Sequence, residues 1–280
     1  MSIFVTGATS QIGHFLLPHL SRSGQRTVAL SRGGRPRSTD CVRWLTGNLP
    51  DNVPDTGPLN AILSFGPLDG LAEWLARCRP DGEIRLVATS SMSAESKRHS
   101  CVAAERVVAR RLRDGEQMLI SQCEKLGIAW TILRPTLIYG AGLDRSLTPI
   151  ARRAMRWRVF PLPIATGLRQ PVHAEDVALA TIRALRTPQA AGHIIALGGG
   201  ERLSVTEMFT RIRNSLPIAT LPLPLLGSAL TRAARIQPYF RGPLLRLETD
   251  LVADNHDAQQ VLGLEPRPFQ PTAATWGLGG

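Results

Sequence analysis

The chain has 280 residues, 43% of them hydrophobic and 20% charged, a balance that excludes disorder and suits one large core with a small appended lobe. Its 33 basic and 22 acidic residues leave a net charge of +11, carried almost entirely by arginine. The arginines look scattered and lack an interleaved aromatic patch, which argues against a nucleic-acid partner and for a small anionic ligand.

Along the chain, SIFVTG is a short apolar strand, and IGHFLLPHLSRSG is helical with a glycine stop and Pro18 as an expected kink. TVALSR (27–32) is a second strand, followed by a glycine, proline and arginine loop. VRWLTGNL (42–49), NAILSFGP (60–67) and IRLVATSS (84–91) are the next strands, with a helix over 71–80 between the last two. A polar loop, MSAESKRHS, leads to a long helix over 105–126 that Gly115 weakens, and IAWTILRPTLIYG (128–140) is the sixth strand. Strands of this length alternating with helices predict an α/β fold, a doubly wound parallel (Rossmann) sheet.

After Gly140 the pattern changes. Helices are expected over 146–157, 174–187, 203–216 and 225–237, with Ser204 and Glu207 at capping-box spacing, and GHIIALGG is one more strand. Residues 1–140 therefore read as the sheet-bearing core and 141–280 as a small, mostly helical lobe, with 170–200 returning to the core. Cys41, Cys78, Cys101 and Cys123 share no metal-ligand spacing, which points to a reducing, cytoplasmic setting and no metal site. Met1 leads directly into the first strand, leaving no room for a secretory leader, and no uninterrupted apolar run reaches the roughly 18–20 residues of a membrane span.

The run Thr6-Gly7-Ala8-Thr9-Ser10-Gln11-Ile12-Gly13 joins the first strand to its helix. Gly7 can adopt a backbone conformation that other residues avoid, Gly13 lets the helix pass close to a pyrophosphate, and free amides at the helix start favour an anion. A tight turn without a ligand is the competing reading. The second strand ends in Ser31-Arg32, with Arg35 and Arg37 following and no acid before Asp40; arginine suits a 2′-phosphate, which places NADP ahead of NAD.

TGATSQIG (6–13), TSS (89–91), LRPTLIYG (133–140) and RQPVHAEDVALA (169–180) together resemble, in order, the motifs of the extended short-chain dehydrogenases/reductases, NAD-dependent epimerase/dehydratase branch. With Arg32, and Asn48 after Gly47 as a neighbour of the adenine edge, the resemblance completes a candidate dinucleotide site of Gly7, Thr9, Ser10, Gln11, Ile12, Gly13, Ser64 and Pro135. Ser10 stands where the family has its middle glycine. It also implies a catalytic Tyr-x-x-x-Lys on the long helix, but Val108 and Leu112 occupy those places, and neither carries a proton. The candidate catalytic residues are then Ser90, Ser91, Lys97 and Tyr139, with Lys97 the substitute acid–base group and an exposed loop lysine the competing reading. Arg134, Arg145, Arg169 and His173 are candidates for binding substrate, with loop-bracing or pocket-wall roles as the alternatives.

These features predict an NAD(P)-dependent oxidoreductase or epimerase/dehydratase-like enzyme with a non-standard proton donor. Its substrate would be small, anionic or nucleotide-sugar-like, and its outer helices could form a homodimer. The alternative is a catalytically inactive NAD(P)-binding redox sensor or assembly protein. A further idea, peripheral membrane or complex association through the arginine- and proline-rich lobe, requires an exposed apolar patch near 216–230.

Overall fold

The computed structural model describes residues 2–33, 38–225 and 246–278. Seven parallel strands form the main sheet: β1 (Ser2–Thr6), β2 (Thr27–Ser31), β3 (Val42–Thr46), β4 (Leu59–Ser64), β5 (Arg85–Thr89), β6 (Ala129–Pro135) and β11 (His193–Leu197). Their order is β11-β6-β5-β4-β1-β2-β3, so the direction of winding reverses between β1 and β4. Open α/β sheets bind ligands at the carboxyl ends of the strands at such a reversal.

Alternation along the strands supplies one core to each face. Ile3 and Val5 of β1 join the cluster under α1 (Gln11–Arg22) and α6 (Ala174–Arg186), with Leu16, Leu20 and Val177. Phe4 points the other way, into the cluster under α2 (Leu68–Cys78) and α4 (Ala103–Leu126), with Ile62, Leu71 and Leu119. α1 runs unbroken through Pro18, which lies exposed. α4 is likewise unbroken at Gly115. A Cβ on Gly115 would stand 3.4 Å from the Asp69 amide and 3.5 Å from Leu68 Cβ, so the residue that weakens the helix also lets it close on α2.

The polar segment after β5 is not all loop, because α3 (Ser93–Ser96) forms within it. Beyond β6, the pair β7 (Ile138–Tyr139) and β10 (Val172–His173) leads into the lobe. The lobe contains α5 (Thr148–Trp157), α7 (Val205–Asn214) and two small sheets. β8 (Val159–Pro163) pairs with β13 (Leu221–Leu225), and β9 (Leu168–Arg169) with β12 (Leu203–Ser204). Ser204 caps α7 by accepting from the Glu207 amide at 3.1 Å. The proline-rich 159–163 segment is thus a strand, stabilised by a partner some sixty residues away. The helical stretch expected over 225–237 lies outside the described residues, apart from Leu225, which ends β13. Tyr139, Phe160, Met208, Phe269 and Trp276 form the lobe's own core.

One ion-pair network ties the sheet to its helices. Arg134, near the end of β6, donates to both carboxylate oxygens of Glu116 on α4, at 2.8 and 2.5 Å, and to Glu95 on α3 at 2.9 Å. Glu116 is buried, and hydrogen bonding to it raises the Arg134 pKa despite the desolvation. Removing one partner strands a buried charge. Glu116→Ala should therefore lower the unfolding free energy by about 3–5 kcal/mol in urea titrations, and Arg134→Met/Glu116→Leu should recover most of that loss.

Candidate active site

The β1–α1 turn is built by exclusion. Gly7 has φ +66°, and a Cβ on Gly13 would lie 2.1 Å from the Ala8 carbonyl oxygen, so no side chain fits there. Ser10 caps the helix, its hydroxyl accepting from the Gly13 amide at 3.2 Å while its own amide donates to Gly7 at 2.9 Å. The side chain that replaces the family's middle glycine therefore takes up one helix-start amide. The amides of Gln11 and Ile12 have no acceptor among the described residues and remain available to an anion.

These residues open onto a cleft of about 620 Å³. Its lining includes Ser10, Gln11 and Ile12 from the turn, Phe65 and Leu68 after β4, Ser90 after β5, and Val108, Arg111 and Leu112 from α4. The size falls within the roughly 300–1,000 Å³ of small-molecule and cofactor sites. Gln11 Oε1 and Ser90 Oγ, both buried, have no hydrogen-bond partner, and both belong to this lining. Buried polar atoms are nearly always paired, so two orphans in one cleft make it the candidate ligand site. A smaller cavity, about 250 Å³ and lined by Ile3, Asn60 and Arg85, involves the amino ends of the strands and lies away from the turn.

The α4 face of the cleft is largely apolar. Val108 and Leu112, one helical turn apart, both line it, at the two places where the family pattern calls for tyrosine and lysine. Of the ionisable lining residues, Arg111 and Asp69 pair with each other at 3.3 Å.

The other sequence-derived candidates divide by what they touch. Thr9 and Asn48 are exposed, Asn48 bridging Asn52 through its backbone. Ser64 is fully buried with its hydroxyl 2.8 Å from that of Thr6, which bolts β1 to β4 at the point of reversal. Pro135 is buried and accepts from the Met92 amide. Ser91 accepts from the Ser93 amide at 3.1 Å and so starts α3, leaving Ser90 as the hydroxyl in the cleft.

Lys97 ends α3, half-buried; its pKa is lowered by burial and then by Arg246, with Glu105 opposing. It is not among the residues lining the cleft. Tyr139 is 1% exposed, packed edge-on against Phe269 and His173, and burial pushes its phenol far above the ordinary range. That is a core tyrosine.

Arg134 is taken up by Glu116 and Glu95, as described above. Arg169 is buried and donates to the carbonyls of Leu168, Thr249 and Arg246, with burial lowering its pKa to about 10. Arg145 is exposed beside Asp144, whose carboxylate caps α5 by accepting from the amides of Ser146, Leu147 and Thr148. Asp176 accepts from the backbone and guanidinium of Arg267, each at 2.9 Å.

His173 caps α6, its Nδ1 accepting from the Glu175 amide at 3.2 Å. Sequence reasoning places Gln11 in the site but gives no sign that its carbonyl is orphaned, and it misses the Arg111–Asp69 pair. Both depend on where α4 and α2 meet the turn, and no local pattern reports that.

With the geometry in place, residues 71–198 match the model of the NAD dependent epimerase/dehydratase family. No curated protein sequence matches the chain. The fold is similar to that of UDP-glucuronic acid 4-epimerase from Bacillus cereus in complex with NAD, at 17% identity and a TM-score of 0.73, covering 99% of this chain and 98% of that one. MoeE5 in complex with UDP-glucuronic acid and NAD is 20% identical, with a TM-score of 0.71 and coverage of 98% and 97%. UDP-glucose 4-epimerase from Thermotoga maritima, with UDP-glucose, is 14% identical, with a TM-score of 0.71 and coverage of 99% and 98%. At these identities the likeness is one of fold. The likeness to the NAD dependent epimerase/dehydratase family model is carried by residues 71–198, from α2 through β11.

The expected order of dinucleotides is corrected. The B. cereus and MoeE5 structures hold NAD, and the family model is that of NAD-dependent enzymes, so NAD replaces NADP as the favoured dinucleotide. The earlier order rested on Arg32, Arg35 and Arg37. Arg32 is exposed, where solvation explains a guanidinium as well as a phosphate does, and Arg35 and Arg37 lie outside the described residues. Ser31 turns its hydroxyl back onto Gly33. No helix among the described residues is long and apolar enough to cross a membrane.

Burial, followed by the Arg267 charge, lowers the His173 pKa below the ordinary 6.5. The unfolded chain then binds a proton that the folded ring refuses, so this contribution to stability is complete above about pH 6.5 and is lost as the pH falls below it. Unfolding free energies measured between about pH 5 and 7.5 should show this decline, and His173→Asn, which keeps an acceptor for the cap, should reduce the slope.

Proposed function

We propose that the chain is an NAD-dependent oxidoreductase of the epimerase/dehydratase type, acting on an anionic, nucleotide-sugar-like substrate without a Tyr-x-x-x-Lys pair. The observation that carries the reading is one continuous cleft holding two free helix-start amides and two orphaned polar atoms, Gln11 Oε1 and Ser90 Oγ. Residues 1–140 with 170–200 serve as the dinucleotide-binding part, and the rest of 141–280 as the substrate lobe. The similar structures that hold UDP-glucuronic acid or UDP-glucose supply the substrate class. The described cysteines are all unpaired, which fits a reducing, cytoplasmic compartment. A homodimer through the outer face of α4, where Val107 and Met118 are exposed, is compatible with the same reading.

When bound, NAD supplies a hydride acceptor or donor at its nicotinamide. The amides of Gln11 and Ile12 bind the phosphates, and the bare Cα of Gly13 permits the helix to sit that close. Ser90 hydrogen-bonds the reacting oxygen and orients it. Val108, Leu112 and Ile138 give the cleft an apolar wall with no group that can carry a proton. The proton passes between the reacting oxygen and solvent at the cleft mouth, a slower route than a positioned acid, which contributes about 10²–10⁴-fold.

A second reading, NAD binding without turnover, is favoured by one specific observation: Val108 and Leu112 stand at the proton-transfer positions. NADH fluorescence titration separates binding from its absence. Gly13→Ala, whose Cβ would collide with backbone, should weaken NADH by about tenfold or more, a loss of at least about 1.4 kcal/mol. Undiminished affinity in that variant removes the dinucleotide seat.

Turnover is then followed with UDP-glucuronic acid and UDP-glucose. Val108→Tyr/Leu112→Lys should raise kcat by about 10²-fold, and Ser90→Ala should lower it with little change in KM. Binding without turnover in both the wild type and the double variant selects the second reading.

A further inference from the structure

The net charge of the chain is not spread evenly. Residues 145–174 and 208–247 together contain twelve of the 33 basic residues and none of the 22 acidic ones, so the remainder of the chain is close to neutral. The first of these stretches includes α5 and β8, and the second includes β13.

The β8–β13 sheet has one buried and one open face. Leu221 lies opposite Val159, Pro222 opposite Phe160, and Leu223 opposite Pro161. Strand side chains alternate, so Phe160, which is fully buried, faces the lobe core while Leu221 and Leu223 project the other way. They are 68% and 51% exposed. Trp157, the last residue of α5, is 66% exposed, and the carbonyl of the next residue accepts from the Leu221 amide at 2.8 Å. Arg153, Arg156 and Arg158 flank this apolar face, exposed and without ion pairs among the described residues.

The outer edge of β13, unpaired among the described residues, is a poor template for another strand. The amides of Leu221 and of residues in its register face β8, so the outward positions belong to Pro222 and Pro224, which have no N–H. Pairing with a second copy by strand addition is therefore disfavoured, and what the patch offers is its side-chain face. An exposed tryptophan and leucines within a ring of unpaired arginines match the chemistry of an anionic bilayer surface. There apolar groups sit at the headgroup boundary, and nearby basic residues are drawn to the anionic headgroups.

We propose that this face of the lobe, centred on Trp157, Leu221 and Leu223 and rimmed by Arg153, Arg156 and Arg158, docks the protein peripherally on an anionic lipid membrane. The surface is separate from the cleft, since none of these residues lines it.

The test is flotation of the full chain with vesicles of phosphatidylcholine alone or with about 30% phosphatidylglycerol. Binding to the anionic vesicles is expected, with loss of most bound protein in about 0.5 M salt, where the Debye length is only a few ångströms. Leu221→Glu/Leu223→Glu and Arg153→Gln/Arg156→Gln should each lower the bound fraction by about fivefold or more, while leaving circular dichroism and NADH affinity unchanged. The proposal is overturned by absence of binding to anionic vesicles at low salt, by equal binding to neutral ones, or by unchanged binding in the leucine variant. It is also overturned if the chain ignores vesicles and forms a dimer that Leu221→Glu/Leu223→Glu abolishes in sedimentation velocity.

Discussion

The contact on which the site depends is between the Cα of Gly13 and the carbonyl of Ala8. A methyl group at position 13 would stand 2.1 Å from that oxygen, so the first turn of α1 lies directly against the turn that delivers it. That closeness fixes where the helix begins and leaves the Gln11 and Ile12 amides at the carboxyl edge of the sheet. The Thr6–Ser64 hydroxyl pair then holds β1 and β4 together beneath the same point. The rest of α1 is committed by packing, with Leu16 and Leu20 buried in the cluster that includes Val177 of α6. The free amides at the start of α1 are thus a consequence of core geometry and do not require a separately ordered loop.

The same reasoning constrains the chemistry of the opposite wall. The rotation of α4 is set by the bidentate Arg134–Glu116 pair on one side and by the approach of Gly115 to α2 on the other. Val108 and Leu112 face the cleft because that rotation puts them there. The absence of an acid–base pair is therefore a property of the residues chosen and not of a displaced helix. With the walls apolar and Ser90 unpaired, the cleft is suited to orienting an oxygen and poorly suited to protonating it.

Much of this was legible in the sequence. Strand and helix periodicities place every main-sheet strand, and the glycine turn lies where the candidate cleft opens. The polar candidates were another matter. An arginine after a strand looks the same whether it meets a substrate or a carboxylate 18 residues away, and Glu116 is what Arg134 meets. Arg169 finds its carbonyls at Thr249 and Arg246, roughly eighty residues on, and Tyr139 finds Phe269. Local pattern fixes the donor and leaves its long-range acceptor open. Ser90 and Ser91 differ for the same kind of reason, because one of the two hydroxyls had to start α3.

The lobe's basicity follows from its architecture. Short strands and irregular connections leave many carbonyls without ladder partners, and a buried carbonyl needs a donor. Arginine, with several donors on one planar group, can satisfy two or three at once. Arg152 takes those of Trp276 and Gly142, Arg213 that of Thr220, and Arg169 three more. Guanidinium groups used in this way bind backbone and call for no neighbouring acids, while Arg211 and Arg246 of the second stretch reach acids outside it, Glu201, Glu207 and Glu105. Among the described residues the positive field at the lobe surface is therefore only partly offset. Arg153, Arg156 and Arg158, which have no carbonyl to serve among the described residues, extend it around the apolar face of β13.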